Sequence, residues 1–152
     1  THLGDMGIIW IILTIVMLLI PKTRKSGMIM AAALIVDVIL CNVILKNLIA
    51  RVRPYGVNTA VQVLVAKPKD FSFPSGHTAA SFASVTALYL AGEKKLRKPA
   101  LALAILIAFS RMYLYVHYPT DILGGVIFGI LSAWIGYRIS TKVLLYAMMK
   151  KE

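Results

Sequence analysis

Two histidines are the strongest candidates for catalytic residues in this sequence. His77 lies in the segment FPSGH, and His117 lies in SRMYLYVHYPTD, four residues before Asp121. A carboxylate at that spacing can accept the Nδ1–H of His117, fix its tautomer and leave Nε2 as a nucleophile. Asp121 could instead serve the dipole of a helix that begins near Pro119. The first interpretation gives an attacking histidine oriented by an aspartate.

Cationic side chains accompany the histidines. Lys46 and Arg53 are seven residues apart in LKNLIARVRPY, so a continuous helix places them on one face and leaves Arg51 off it. Snorkelling at the end of a membrane span is the simpler explanation of that stretch alone. Arg111 lies six residues before His117 and inside an apolar block. An arginine at that depth is costly, which indicates a function.

The segment FPSGH predicts the start of a helix near Gly76, with Ser75 as its N-cap. Backbone N–H groups and the helix dipole make such a start an anion site, and glycine allows a ligand to approach closely. His77 lies in the first turn and faces the same space. The alternative is a capped helix with an interfacial histidine.

Hydropathy predicts the elements that position these residues. The chain has 152 residues, of which 59% are hydrophobic, and its mean hydropathy is +0.80. This composition is typical of a membrane protein, so we expect an all-α, integral-membrane helical bundle and a single domain over residues 1–152. The five apolar blocks are 6–20, 27–45, 76–92, 99–116 and 121–141.

Charge predicts the orientation of the bundle. The net charge is +11, which in a soluble protein would suggest nucleic acid, but here the basic residues lie between apolar blocks. Five spans divide the 17 Lys and Arg residues into 11 on one side and 6 on the other. The positive-inside rule then places the 46–75 loop outside the cytoplasm. We therefore expect a protein of the cell membrane with no nucleic-acid partner.

The same topology brings the three motif-bearing segments to one face. A compact dianion such as a phosphate ester suits the resulting set of cations and histidines, since arginine offers planar forks and lysine a point charge. Of the six acidic residues, Asp5, Asp70 and Asp121 alone could lie on that side. These are too few for a dinuclear metal site, so the sequence predicts no metal and no cofactor.

The segments KNLIARVRP, PSGH and SRMYLYVHYPTD resemble the three signature motifs of the type 2 phosphatidic acid phosphatase superfamily. Order and spacing agree over residues 46–121, with no substitution in a signature position. The resemblance implies that His117 forms a phosphohistidine, that Asp121 orients it, and that His77 serves as general acid and then general base. The phosphate-binding residues that it implies are Lys46, Arg53, Ser75, Gly76 and Arg111.

The resemblance also implies six spans, with the first signature at the end of the third. Here that signature ends the second apolar block. We therefore expect one amino-terminal span to be missing, with Thr1 as a truncated start.

The expected activity is hydrolysis of lipid phosphate monoesters or diphosphates at the extracytoplasmic face. Candidate substrates are undecaprenyl diphosphate, phosphatidylglycerol phosphate and phosphatidic acid, with membrane lipids as the surroundings. Two alternatives stay open: a lipid phosphotransferase that uses the same site, and a non-catalytic binder or transporter of lipid phosphates. The latter would not need Asp121 four residues after His117.

Two further features lie outside the motifs. Gly125 and Gly129 form a G-x-x-x-G pattern that favours close helix packing, with a homodimer face as the alternative. Asp37 lies inside the second block, where we expect a structural role or support of Arg111.

Overall fold

The computed structural model describes residues 7–150, and the regular structure within that range is entirely helical. In chain order the helices are α1 (Ile8–Leu19), α2 (Arg24–Asp37), a π-helical segment (Val38–Leu45), α3 (Lys46–Ile49), α4 (Pro54–Val57), α5 (Gly76–Leu90), α6 (Arg97–Tyr113) and α7 (Pro119–Met149). The predicted all-α fold is confirmed, with one long helical stretch for each predicted block. The expectations about Thr1 and Asp5 lie outside the described residues.

The outer surfaces of the helices are apolar. Leu19, Ile35 and Leu106 are 71%, 60% and 66% exposed, and many other large apolar side chains face outwards. Two stretches within the described residues, Arg24–Val57 and Pro119–Tyr146, are long and apolar enough to cross a membrane by length and composition. Such a surface suits contact with lipid chains rather than with water.

Small residues allow the helices to pack closely around α7. This helix packs most extensively against α5 and α2, where Ala79, Ala83 and Ala133 are fully buried. A Cβ at Gly125 would lie 2.8 Å from the carbonyl oxygen of Ser75. The close packing predicted from G-x-x-x-G therefore occurs between helices of the same chain.

The second long helix ends earlier than predicted. Its last α-helical residue is Ile49, and Ala50 then adopts a left-handed conformation with φ 47°. Arg53 is extended, with φ −72° and ψ 155°, because the following Pro54 disfavours helical backbone at that position. The predicted helix face shared by Lys46 and Arg53 is wrong, since the two residues lie on different backbone segments.

A π-helix precedes Lys46. It covers Val38–Leu45 and joins α2 to α3 without a break. π-Helical turns are rare and often occur at functional sites. This one changes the direction in which the Lys46 side chain leaves the helix.

Three junctions meet at one end of the bundle. The Ser72 N–H donates to the Arg51 carbonyl at 2.8 Å, and the Ser75 N–H donates to the Asp121 carbonyl at 3.0 Å. At the opposite end the Ser26 hydroxyl donates to Glu93 at 2.6 Å, which joins the first turn of α2 to the α5–α6 turn. The prediction that the three motifs converge at one end is confirmed.

Candidate active site

His117 and Asp121 lie where α6 gives way to α7. His117 is in the turn after α6, and Asp121 is in the first turn of α7, which starts at Pro119. The His117 Nδ1 lies 3.5 Å from the Asp121 Oδ2, and both side chains are buried. This arrangement directs Nε2 away from the aspartate and towards the side chain of Arg53.

Asp121 has a donor for each of its oxygens. Oδ2 accepts the Ser72 hydroxyl at 2.5 Å and the Tyr118 N–H at 2.9 Å, while Oδ1 accepts Arg51 Nη1 at 2.8 Å. A carboxylate held by several donors keeps its charge and its orientation in a buried setting. The aspartate is therefore fixed before it acts on His117.

Arg53 joins the histidine to a second carboxylate. Its Nη1 lies 3.1 Å from the His117 Nε2 and donates to the Val116 carbonyl at 2.9 Å. Its Nη2 donates to the Asp70 Oδ1 at 2.6 Å, and its Nε donates to the Asp70 carbonyl at 2.9 Å. The guanidinium is 5% exposed, so it lies inside the site and not on its rim.

Lys46 reaches the same carboxylate from α3. Its ammonium group forms an ion pair with the Asp70 Oδ2, while Arg53 holds Oδ1. Lys46 and Arg53 thus grip one anionic group between them, although they do not share a helix face. That group lies beside the imidazole that Arg53 also contacts.

Ser75, Gly76 and His77 form the start of α5. Ser75 is the N-cap residue, as predicted, but its hydroxyl makes no capping bond and instead accepts from Thr78 at 3.0 Å. A Cβ at Gly76 would lie 2.8 Å from the Asn42 side-chain oxygen, so the backbone passes close to the π-helix. His77 occupies the first turn and is partly buried.

Arg111 lies in the last turn of α6. Its Nε donates to the Ser110 hydroxyl at 3.1 Å, and its carbonyl accepts the Val116 N–H at 3.3 Å. The carbonyl of Val116 in turn accepts from Arg53. The backbone of Arg111 is therefore tied to the turn that carries His117.

Electrostatics set the protonation of the two titratable groups in the loops. Burial lowers the pKa of His117, and the charges of Arg53 and Lys46 act in the same direction against the opposing effect of Asp121. Burial alone would raise the pKa of Asp70, but the bonds and charges of Lys46 and Arg53 outweigh it and hold that pKa below its ordinary value. At neutral pH the imidazole is uncharged and Asp70 is ionised.

Sequence comparison identifies the family. The family model described as the PAP2 superfamily matches residues 26–144, which include all of the residues above. The chain belongs to the PAP2 superfamily. This confirms the resemblance drawn from the three motifs.

Relatives of this PAP2 chain extend the comparison. It is 30% identical to an undecaprenyl-diphosphatase of Sulfolobus acidocaldarius over 129 residues, which are 85% of this chain and 61% of that protein. The crystal structure of a transmembrane PAP2-type phosphatidylglycerolphosphate phosphatase from Bacillus subtilis aligns with a TM-score of 0.68 and 32% identity, covering 93% of this chain and 73% of that one. LpxE of Aquifex aeolicus aligns with a TM-score of 0.75 and 28% identity, covering 90% and 80%.

Sequence reasoning missed three residues of the candidate site: Arg51, Asp70 and Ser72. Arg51 was set aside because a continuous helix would turn it away, and the break at Ala50 removes that reason. Ser72 lies three residues before the N-cap, in a segment with no periodicity to place it. Asp70 was considered only as a metal ligand, whereas the structure places it on two cations.

Proposed function

We propose that this protein is an integral-membrane lipid phosphatase that hydrolyses lipid phosphate monoesters or diphosphates through a phosphohistidine at His117. One observation carries the proposal. Arg53 simultaneously binds the carboxylate of Asp70 and lies 3.1 Å from the His117 Nε2. An anion held by Lys46 and Arg53 is therefore next to the nucleophile.

The Asp70 carboxylate acts as an internal stand-in for phosphoryl oxygens. One of its oxygens binds Lys46 and the other binds Arg53. Two oxygens of a phosphoryl group could bind the same two side chains. Phosphoryl transfer depends mainly on positioning and on stabilising charge at those oxygens. Arg111, Ser75 and the Gly76 N–H are the additional donors that the motifs supply.

In the first half-reaction the His117 Nε2 attacks phosphorus. The N–P bond forms as the P–O bond to the lipid breaks, and His77 donates a proton to the departing oxygen. Asp121 accepts from Nδ1–H and stabilises the positive charge that develops on the ring. At 3.5 Å the two atoms do not yet form a hydrogen bond in this structure, and catalytic contacts of this kind often shorten only when the substrate binds.

In the second half-reaction the roles of the groups reverse. His77, now neutral, takes a proton from water, and the resulting hydroxide attacks phosphorus. The N–P bond breaks, inorganic phosphate leaves, and His117 is restored. His77 regains its proton in the same step, so the cycle closes without another reactant.

The proposed mechanism needs no metal ion. Within residues 7–150, no group of three His, Cys, Asp or Glu side chains is arranged to hold one. The positive charge that a metal would supply comes here from Lys46 and Arg53, both buried. We therefore expect turnover in EDTA.

The named relatives suggest which lipid carries the phosphate. They include an undecaprenyl-diphosphatase and a phosphatidylglycerolphosphate phosphatase. Undecaprenyl diphosphate, phosphatidylglycerol phosphate and phosphatidic acid are the substrates to compare. The apolar outer helix surfaces would hold the lipid chains while the cations bind the phosphate.

The decisive experiment measures phosphate release from these three lipids by the detergent-purified protein, with and without EDTA. We expect EDTA-resistant release that falls at least 1,000-fold in His117→Ala, since the nucleophile is lost. Activity that survives this change would contradict the nucleophile assignment. Binding without turnover of any lipid would favour the binder or transporter.

A lipid-like ester with an activated leaving group separates the roles of the two histidines. Such a leaving group needs no proton, so His77→Gln should retain the first step and slow hydrolysis of the phosphoenzyme. We expect a burst of leaving group of about one per protein, followed by slow turnover. An alcohol that increases the rate of that slow phase by accepting the phosphoryl group would indicate a phosphotransferase.

We also propose that the site faces away from the cytoplasm. The 11 to 6 division of Lys and Arg between the two ends supports this orientation. Leu64→Cys, at a 78% exposed position on the site side, should react with an impermeant maleimide in intact cells, whereas Lys95→Cys should react only after lysis. The native Cys41 is buried and provides a low background. The reverse pattern would invert the orientation.

A further inference from the structure

Arg51 forms a compact set of contacts around the first turn of α7. Its Nη1 lies 2.8 Å from the Asp121 Oδ1 and 2.6 Å from the Thr120 hydroxyl. Its guanidinium carbon lies 4.0 Å from the centre of the Tyr118 ring, within cation–π range. One side chain thus contacts three of the four residues that follow His117.

The backbone of Arg51 is tied to the same carboxylate. Its carbonyl accepts the Ser72 N–H at 2.8 Å, and the Ser72 hydroxyl donates to the Asp121 Oδ2. The side chain of Arg51 therefore binds one oxygen of Asp121 directly, and its main chain is linked to the other oxygen through Ser72. A random surface cation would not produce this double connection.

The local backbone explains why Arg51 can reach this position. The left-handed residue Ala50 ends α3 and turns the chain towards the 70–75 segment. Arg51 and Arg53 lie two residues apart in the connection between α3 and α4, and they contact the two ends of the His–Asp pair. Arg53 contacts His117 at Nε2, and Arg51 contacts Asp121 at the oxygen remote from the imidazole.

We propose that Arg51 is a positioning residue of the proposed phosphatase site, which fixes Asp121 beside His117 and balances its charge. The inference rests on the proposed function for its catalytic readout but not for its geometry. Arg51 does not contact the phosphoryl group. It acts through Asp121.

The charged groups around His117 allow the sign of the effect to be worked out. Asp121 favours the protonated ring, while Arg53 and Lys46 oppose it. Arg51 partly neutralises Asp121, so removing its charge leaves that carboxylate a stronger partner for a positive imidazole. Protonation of His117 should then occur at higher pH than in the wild type.

A purely structural role of Arg51 predicts a different result. If Arg51 only anchors α7, its loss reduces the amount of folded protein or the activity at every pH alike. The position of the acid limb of kcat/KM, which reports groups of the free enzyme, would not move. The pH profile therefore separates positioning from anchoring.

The experiment compares Arg51→Gln, Arg51→Lys and the matched control Arg97→Gln. Arg97 lies 4.7 Å over the ring of Tyr89, the same type of contact, but at the opposite end of the bundle. We expect Arg51→Gln to lower kcat about tenfold and to move the acid limb to higher pH. Arg51→Lys keeps the charge, so the acid limb of kcat/KM should stay at its wild-type pH while kcat falls a few-fold. Arg97→Gln should change neither the limb nor kcat.

A second measurement does not depend on turnover. Titration of the histidine ring signals by NMR in detergent follows His117 directly, and the signal missing from His117→Ala assigns it. We expect its midpoint to rise in Arg51→Gln and not in Arg97→Gln. Asp121→Asn alone should lower the midpoint, because it removes the charge that favours the protonated ring. In that background Arg51→Gln should cause no rise, because Arg51 acts through the same carboxylate.

Two outcomes would overturn the proposal: an unchanged His117 midpoint in folded Arg51→Gln, or an additive effect in the double variant. A wild-type protein that turns over no lipid would contradict the proposed function alone, since the ring titration would still test Arg51. An active wild type with an unaltered Arg51→Gln profile would contradict only the positioning role.

Discussion

Two aspartates lie within the site, and they are held in opposite ways. Asp121 is fully buried in the first turn of a 31-residue helix, with Arg51, Ser72 and the Tyr118 N–H bound to it. Asp70 lies in an irregular segment, its side chain is 50% exposed, and it binds Lys46 and Arg53. We therefore expect Asp121 to stay in place, and we expect a ligand anion to be able to displace Asp70 from its two cations.

The difference follows from what each carboxylate contacts. In the proposed mechanism Asp121 orients the nucleophilic His117, so displacement of Asp121 would disorder that histidine. In the same proposed mechanism Lys46 and Arg53, the partners of Asp70, bind the phosphoryl group, so displacement of Asp70 would free them. Substrate binding would thus replace the two ion pairs of Asp70 and leave the pair between Arg51 and Asp121 intact.

The largest expected effect distinguishes the two carboxylates by the same chemical change. Asp121→Asn should lower kcat by about 10³–10⁴-fold, because an amide can no longer fix the His117 tautomer or stabilise its positive form. Steady-state kinetics with the best lipid substrate measures this. Asp70→Asn is the matched control, and equal losses in the two variants would break the comparison.

The pH dependence tests the buried side of the comparison. Since the pKa of His117 is lowered, the acid limb of kcat/KM should lie below the ordinary histidine value of about 6.5. Below that limb the ring is protonated and kcat/KM should fall about tenfold per pH unit. A limb above the ordinary value would show that Asp121 outweighs burial and the two cations.

Loss of one donor to Asp121 should have a smaller effect. Ser72→Ala removes the hydroxyl that donates to Oδ2 at 2.5 Å and leaves the Tyr118 and Arg51 contacts. We expect kcat to fall roughly tenfold, in the range for a hydrogen bond to a charged group. Ser84→Ala is the control, because the buried Ser84 hydroxyl has no hydrogen-bond partner among the described residues. Equal effects would deny Ser72 a specific role.

The smallest effect is expected on the exchangeable side, and in the opposite direction. Asp70→Asn removes a competitor for Lys46 and Arg53, so substrate and inorganic phosphate should bind about two- to fivefold more tightly. Half-exposed ion pairs are weak, which limits the gain. Inhibition constants for phosphate measure it, with Asp70→Glu as the charge-retaining control. Weaker binding in Asp70→Asn would mean that Asp70 assists the ligand.

The sequence predicted the helices and their convergence because both depend on strong, long-range patterns. Apolar blocks defined the five long helical stretches, and alternating connections placed the three motifs at one end. The break at Ala50 was missed, since alanine is a good helix former and nothing in its type signals a left-handed residue. Arg51 was missed for the same reason, because a helix that continued past Ala50 would turn its side chain away from the site.

The 70–75 segment was also beyond prediction in its details. Its contacts are made between distant positions, such as Ser72 with Asp121 and Arg53 with Asp70. Phe73 in this segment packs edge-to-face on Phe128 with ring centres 6.4 Å apart. Periodicity cannot identify such contacts because the segment has none.

The direction of the Lys46 side chain depends on the number of residues in the π-helix that precedes it. Val38–Leu45 holds more residues per turn than an α-helix, so the chain arrives at position 46 with a phase that ordinary α-helical winding would not give. Deleting one residue there would change the phase at which Lys46 leaves the helix while the helix itself persists. Apolar substitutions in this stretch should be tolerated, and changes in its length should not.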